Sequence, residues 1–437
     1  MSGLQPELRC FPSLLDTDGS HTSNISYAMH VLMIAIGFPS PDNPYPGSFI
    51  AEQVRLLCEH VERITVLCPT PRVPAFLHLD TSISAKASLP SRYYMRTDRC
   101  EVLFPRYLKA PGNTLLCWTT AQWCRIVSNT VAELNRRHPV SIIHAHAGSV
   151  SAWSAIKAAR RYHLPCVVTY QGSEVHDTLV NRNRGWKLCR DAFRFADLNI
   201  SVSRSLQRIL NQHVTPEGRC EVILRGVDQT KFFPPVHGVR KPIVLFVGRI
   251  TTSKGVFELL AAWKHVLEAC PYAELWMVGS DSTNGTFARE SQSQRYGHSI
   301  KMTGPLPSAD VASLMQEAQI LCLPSHGEGM PNCVMEALAS GLPVVATKVG
   351  GIPDIIQTGV SGILVDKGDV RSLAAALVSL LTDSDSRTAM GKEGYHFALE
   401  HLNGKRNVLR LTELYIDLVK GNRSQDIDTH SVCATNL

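Results

Sequence analysis

With 437 residues, 44% of them hydrophobic, the chain is long enough for more than one buried core and too long for a single small module. Its 44 basic and 38 acidic residues leave a formal charge of +6, a mild excess that suits phosphorylated ligands or an anionic surface without demanding nucleic acid. Thirteen cysteines placed singly, with no C-x-x-C pair, speak against a disulfide framework or a zinc site and for a reducing cytosol.

In chain order, residues 1–28 are polar and rich in Ser, Thr, Asp and Pro. They lack the basic start and apolar core of a signal peptide and read as a disordered extension. Met29 directly precedes the first strand-like run and is a second candidate start of translation. VLMIAIGF (31–38) predicts a strand, and FIAEQVRLLCEH, with Ile50, Val54, Leu57 and Val61 at helical spacing, a helix. The strand ITVLCP follows, then an irregular, proline-punctuated stretch over about 70–112, long enough for an extra hairpin or a functional loop. Alternation resumes with a helix near 113–137, then the strands SIIHAHAG, CVVTYQGS, LNISVS and CEVILRG, with helices between them.

Pro234, Pro235 and a short polar run mark a boundary, after which PIVLFVG opens a second series. That series reads as helix GVFELLAAWKHVLEAC, strands ELWMVGS and SIKMTG, helix SADVASLMQEA, strand ILCLPS, helix PNCVMEALAS, strands PVVATKV and GILVDKG, then helices. Strands alternating with helices imply two doubly wound α/β domains, 29–234 and 235–403, whose strand ends face a cleft between them. A helix over 404–421 is expected to pack back on the first domain, with a loose tail over 422–437. No apolar run reaches the 18 or more residues of a spanning helix.

The segment LCLPSHGEGMPNCVMEALASGLPVVATKVGGIPD (321–354) carries the densest chemistry. Its loop holds Gly327, Glu328 and Gly329 and enters a helix at Pro331, where free N–H groups and the helix dipole favour an anion. Glu328 and Glu336, eight residues apart, suit one pocket, with one carboxylate for sugar hydroxyls and the other for ribose hydroxyls. Upstream, FVGRITTSKG sets Arg249 and Lys254 on the loop after a strand, between Gly248 and Gly255, where two cations suit a diphosphate. A solvated loop would present the same two cations, and only the pairing with the glutamate loop separates the readings.

In the first half, Gly47 ends the turn SPDNPYPG at a helix start and either admits a phosphate or serves the turn alone. IIHAHAG puts His144 and His146 at a strand end, where alternation is expected to send them to opposite faces, His146 nearer the cleft. Gln171, Ser173 and Glu174 offer polar groups to an acceptor. The run RNRGWKLCRDAFRF (182–195) interleaves cations with Trp186, Leu188 and Phe193, as a helix lying on anionic lipid would, or as an ordinary helix face packed through its apolar side.

These residues resemble the retaining GT-B glycosyltransferases of family 4 over about 29–421. The motifs are Gly248-Arg249 to Lys254-Gly255, the S-x-x-E-G-x-P-N-x-x-x-E-A run from Ser325 to Ala337, G-x-P-V-V-A-T and V-G-G-I-P-D. The resemblance implies a GT-B fold and transfer of a sugar from a nucleotide diphosphate sugar, with no cofactor. It implies that Arg249 and Lys254 hold the diphosphate and Glu328 the sugar. The amides from Gly329 through Met330 and Pro331 to Asn332 would lie near sugar and phosphate, Glu336 would bind the ribose, and His146 would contact the transferred sugar. FPSPDNPYPGSFIAEQV resembles the subgroup that builds cell-surface polysaccharides, which implies a glycan or lipid-linked acceptor and a cytoplasmic enzyme, peripheral at the membrane if the acceptor is lipid-linked.

Two positions depart from the family: Gln171 where a histidine is usual and Arg225 where an asparagine precedes Gly226-Val227-Asp228. The Asp-x-Asp runs at 16–18 and 383–385 sit in the extension and between C-terminal helices, so no metal requirement is expected, and front-face displacement is the expected route to retention. With the cations in one domain and His146 in the other, closure is expected to assemble the site, donor first. An epimerase or hydrolase of the same architecture, or a nucleotide-sugar-binding protein without catalysis, are the rival readings.

Overall fold

The structure is a computed structural model that describes residues 27–434 apart from 41–45, 73–91, 95–98, 110–114, 173, 237–239 and 295, with side chains to residue 422. Residues 1–26 of the expected extension lie outside the described residues, and Tyr27 and Ala28 belong to the first strand.

The first domain contains β1 (Tyr27–Ile34), α1 (Ser48–Leu57), β2 (Val61–Leu67), β3 (Thr70–Arg72), β4 (Arg92–Tyr94), β5 (Cys100–Leu103), β6 (Arg106–Leu108), α2 (Leu116–Asn135), β7 (Ile142–His146), α3 (Val150–Arg161), β8 (Cys166–Tyr170), a π-helical segment (Glu174–Val180), α4 (Trp186–Phe195), β9 (Leu198–Ser201), α5 (Arg204–His213) and β10 (Arg219–Val222). Its sheet runs β10-β9-β8-β7-β1-β2-β5-β4, parallel except for β4 against β5. The irregular stretch supplies that antiparallel edge and a separate parallel pair, β3 with β6.

The second domain contains β11 (Lys241–Val247), α6 (Val256–Ala269), β12 (Glu274–Val278), α7 (Thr286–Ser293), β13 (Ile300–Gly304), α8 (Ser308–Glu317), β14 (Ala318–Leu323), α9 (Asn332–Ala339), β15 (Val344–Thr347), β16 (Gly362–Val365), α10 (Val370–Thr382) and α11 (Ser384–His401). Its sheet is fully parallel in the order β13-β12-β11-β14-β15-β16. In both sheets the order reverses beside the first strand, at β1/β7 and at β11/β14. Such reversals leave a crevice beyond the strands' carboxyl ends, because the flanking connections leave toward opposite faces.

The β-branched and aliphatic strands are buried on both faces, as parallel sheets require. Helices α5, α10 and α11 begin where a side chain takes up free N–H groups. Ser203 accepts from Leu206 N, Asp369 from Ser372 N, and Asp383 from the amides of Asp385 and Ser386. One face of the first sheet is covered jointly by α1 and by the last helix, α12 (Gly404–Ala434), through Val408, Leu411, Leu414 and Tyr415. The backbone of α12 stays helical past residue 421, where the sequence suggested a loose tail.

The chain crosses between domains twice, and the crossings touch. Val227 N donates to Leu402 O at 2.9 Å, and a Cβ on Gly226 would lie 2.1 Å from the Cα of Gly404. The Tyr415 hydroxyl is hydrogen-bonded to His144 Nδ1, whose Nε2 meets Thr169 Oγ1 at 2.7 Å, all buried. Tyr415→Phe is expected to leave that imidazole nitrogen unpaired and cost about 1–3 kcal/mol, read as a lower urea midpoint for the first domain.

Candidate functional site

The two loops at the β11/β14 crevice are locked together by backbone. After β11 the chain makes a short 3-10 turn (Thr252–Lys254) and enters α6 through Gly255, at φ 69°. A Cβ there would sit 1.9 Å from Pro324 O, so only glycine lets the loop press against the end of β14. His326 N then donates to Ser253 O at 2.9 Å, and His326 Nε2 meets Glu258 Oε1 at 2.6 Å. The result places Lys254 Nζ 2.5 Å from Glu328 Oε1, which also accepts from Ser325 Oγ at 2.6 Å. Thr347 Oγ1 holds Ser325 O at 2.5 Å, and the loop after β15 backs the glutamate so closely that a Cβ on Gly350 would overlap Glu328 O.

Arg249 is exposed on the same loop, beside Gly248, whose carbonyl oxygen lies 1.9 Å from where a Cβ on Gly279 would stand. Both expected diphosphate cations are therefore at the crevice, with Lys254 already paired to the glutamate. Glu336, in α9, is pushed up to about 7 by burial, with Lys231 pulling the other way. Glu328 and Glu336 both bear on the Cys333 thiol between them, though Glu328 is anchored to Lys254 and Glu336 faces Lys231. Met330 and Pro331 are buried, and Pro331 occupies the cap of α9, one position before the helix. Asn332 Oδ1 accepts from Arg225 Nη1 of the first domain at 3.0 Å.

Across the cleft, His146 closes β7 with 2% exposure. It is on the same face as His144, because residues two apart in a strand share a face; the rings stack with centroids 4.5 Å apart. The expectation of opposite faces is thereby corrected. Ala147, next in the chain, adopts φ 73°, a left-handed conformation that costs a non-glycine residue about 1 kcal/mol or more. Ser151 Oγ caps the carbonyls of His146 and Ala147 at 3.0 and 2.7 Å. Burial and the nearby Arg225 cation lower the His146 pKa to about 3, so the ring is neutral at physiological pH. Its Nδ1 meets Gln171 Nε2 at 3.0 Å, and its buried Nε2 has no hydrogen-bond partner.

The other first-domain candidates separate. Gly47 holds its turn at φ 64°, where a Cβ would lie 2.2 Å from Gly37 O. Glu174 turns inward, accepts from Gln171 N at 2.5 Å, and is raised in pKa by burial. Ser173 lies outside the described residues. In 182–195, Cys189, Ala192 and Phe193 are buried, Arg182, Lys187 and Arg190 gather over the Trp186 ring, and Arg194 pairs with Glu217. This is the ordinary packed face on one side and a cationic aromatic face on the other. No helix among the described residues is long and apolar enough to cross a membrane, and no cluster of three His, Cys, Asp or Glu among them is placed to hold a metal.

Two family profiles match end to end: Glycosyltransferase Family 4 over residues 63–231 and Glycosyl transferases group 1 over 227–397, together more than half of the chain. The chain belongs to the family 4 GT-B glycosyltransferases. It is accordingly an enzyme, a glycosyltransferase. Among relatives, it is 27% identical over 408 residues to a Bacillus subtilis protein named for teichuronic acid biosynthesis, spanning 90% of this chain and 99% of that one. It is also 27% identical to the sulfoquinovosyl transferase of Arabidopsis thaliana, over 78% of this chain and 64% of the relative. Among solved structures, sucrose-phosphate synthase of Thermosynechococcus elongatus superposes with a TM-score of 0.72 at 20% identity, covering 90% of this chain and all of the other. Anabaena HepE in complex with UDP superposes at 0.67 with 18% identity, covering 89% and 100%. Both share the two-domain fold.

The residues of the two crevice loops are legible in the sequence because their spacing is local. The His326 to Glu258 pair and the partners of Arg225 are not, because they come from distant segments. Because the folded-state pKa of Glu336 stands above its unfolded value near 4.5, its contribution to stability is complete below that value and disappears as pH rises through about 7. The thermal midpoint of Glu336→Gln is therefore expected to fall less than that of the parent between pH 5 and 8, a difference measurable by calorimetry at fixed ionic strength.

Proposed function

We propose that this glycosyltransferase moves a sugar from a nucleotide diphosphate sugar to a glycan or lipid-linked acceptor in polysaccharide synthesis, with retention of configuration and without metal or cofactor. The observation that carries the reading is the pairing of Lys254 with Glu328 at the β11/β14 crevice, beside exposed Arg249 and the start of α9. As the donor bond breaks, negative charge grows on the leaving diphosphate, and Arg249, Lys254 and the first free amides of α9 meet it in place of a divalent ion. Glu328 keeps one oxygen for Lys254 and Ser325 and offers the other to a sugar hydroxyl. Glu336 accepts from the ribose. Glu174, a buried carboxylate of the first domain, accepts from the Gln171 backbone amide through one oxygen and is raised in pKa by burial, which makes it a poor nucleophile and favours front-face displacement over a covalent glycosyl-enzyme. HepE, of the same fold, has been seen with UDP and with UDP-glucose, so UDP-sugars are the first donors to try.

Turnover of one member of a panel of UDP-, GDP- and ADP-sugars is expected in EDTA, with Glu328→Ala inactive. Arg249→Ala should weaken donor binding about 10- to 100-fold, the equivalent of charge-assisted hydrogen bonds of about 1.5–3 kcal/mol. Activity that returns only with added metal, or an isolable glycosyl-enzyme adduct, would overturn the mechanism.

We further infer a cytoplasmic enzyme that rests on an anionic membrane through the start of α4. Exposed Arg182, Arg184 and Lys187 flank Trp186, and Leu115, Trp118 and Val180 are exposed near by, where α2 packs against Gly185. Flotation with phosphatidylglycerol vesicles, lost on neutralising these three cations and absent with phosphatidylcholine alone, is expected; flotation that ignores the substitutions would remove this surface from consideration.

A further inference from the structure

The two positions that depart from the family pattern, Gln171 and Arg225, are bonded to each other. Arg225 Nε donates to Gln171 Oε1 at 3.1 Å, and Nη2 donates to the same oxygen. Nη1 reaches the other domain, donating to Met330 O at 3.1 Å and Asn332 Oδ1 at 3.0 Å. The guanidinium lies over the Phe49 ring, 4.1 Å from its centroid, at the start of α1. Burial lowers Arg225 to about 10, with Glu174 and Glu328 holding it up, so it stays a cation at neutral pH.

This arrangement dictates a proton position by elimination. A guanidinium has donors only, so the side of the Gln171 amide that faces it must be the oxygen. The amide nitrogen then faces His146 and donates, so His146 Nδ1 must be the bare, accepting nitrogen. A neutral imidazole carries one proton, and it is left on Nε2, the buried atom without a partner in the protein. An unpaired buried donor is unfavourable, and a hydroxyl acceptor on a bound molecule would satisfy it.

We propose that Arg225 and Gln171 are a positioning pair that fixes the proton of His146 on Nε2, where it donates to a hydroxyl of the bound sugar, and that ties this histidine to the Met330 and Asn332 segment of the opposite domain. The assignment of the ligand as a sugar rests on the proposed transfer reaction; the proton position does not. The charged group acting on His146 is Arg225, and the second ring packed on it, His144, is itself neutral through burial.

The test is nitrogen NMR of protein labelled with 15N-histidine, the His146 signals being assigned by their loss in His146→Asn. The parent is expected to show a bare Nδ1 and a protonated Nε2 that do not titrate between pH 5 and 8. Gln171→Glu keeps the acceptor for Arg225 but can only accept from His146, so the proton should move to Nδ1, and kcat should fall at least tenfold with donor KM changed less than threefold. Arg225→Met frees the amide to rotate, and the two nitrogen shifts should move toward each other as the tautomers mix. An unchanged tautomer in Gln171→Glu would overturn the pair, as would full kcat with the proton inverted. Because the NMR signature needs neither donor nor turnover, a protein that shows it yet transfers no sugar would refute the proposed reaction and not the proton position. If Arg225→Met does not fold, Asn332→Ala keeps Arg225 on Gln171 and should leave the tautomer in place; inversion there would also overturn the pair.

Discussion

Everything at the cleft depends on main chains that approach too closely for any side chain. A Cβ on Gly329 would lie 2.0 Å from Gln171 O, and one on Gly172 would lie 2.6 Å from the Cα of Gly329. The domains therefore meet backbone to backbone at the glutamate loop, and Gln171 and Glu328 stand within one loop of each other. A methyl group at Gly329 would force the strand-end loops apart by more than 1 Å, enough to separate the groups from each domain that must act on one ligand. The crevices at β1/β7 and β11/β14 provide room for a ligand; the glycine contact decides how far apart their contents are held.

Burial then sets the charge state of each group brought there. The buried His146 ring stays neutral, the half-buried Glu336 carboxyl is pushed toward neutrality, and Arg225 keeps its charge because carboxylates lie within reach. Lys254 and Glu328 satisfy each other. The cleft thus keeps the Lys254 cation on a carboxylate in the second domain and the buried His146 ring neutral in the first. This division follows from which groups have a charged neighbour, and it could not have been arranged by residue type alone.

That distinction also explains what the sequence revealed. Strand runs such as PIVLFVG and ILCLPS, the glycine loops and the helix after Pro331 are local patterns, and each stands in the fold where its pattern implies. The helix Thr286–Ser293 escaped because TFARESQS buries only Phe287 and Ser291, too few for an apolar stripe. His144 and His146 are two apart in a strand and therefore share a face, as their stacked rings show. Arg225 drew notice as a departure, but its partners lie 54, 105 and 107 residues away, and no window along the chain contains such a relation.

The position of Arg225 in the chain gives its bonds a mechanical sense. It directly precedes Gly226, which packs on Gly404, and Val227, which pairs with Leu402 and Asn403 where the chain crosses back. Rotation of one domain against the other must be absorbed at these two adjoining crossings, since both ends of each are anchored in packed sheets or helices. An arginine rooted at that pivot moves little itself, while Met330 and Asn332 are carried by the second domain. Opening would therefore break the bonds of Nη1 and spare those to Gln171. The histidine end of the chain of bonds is fixed from below as well, through the stacked His144 and the Tyr415 hydroxyl of the returning helix. The first domain thus holds His146 in its orientation, and on the proposed reading closure would add the second domain's loop to a donor that is already set.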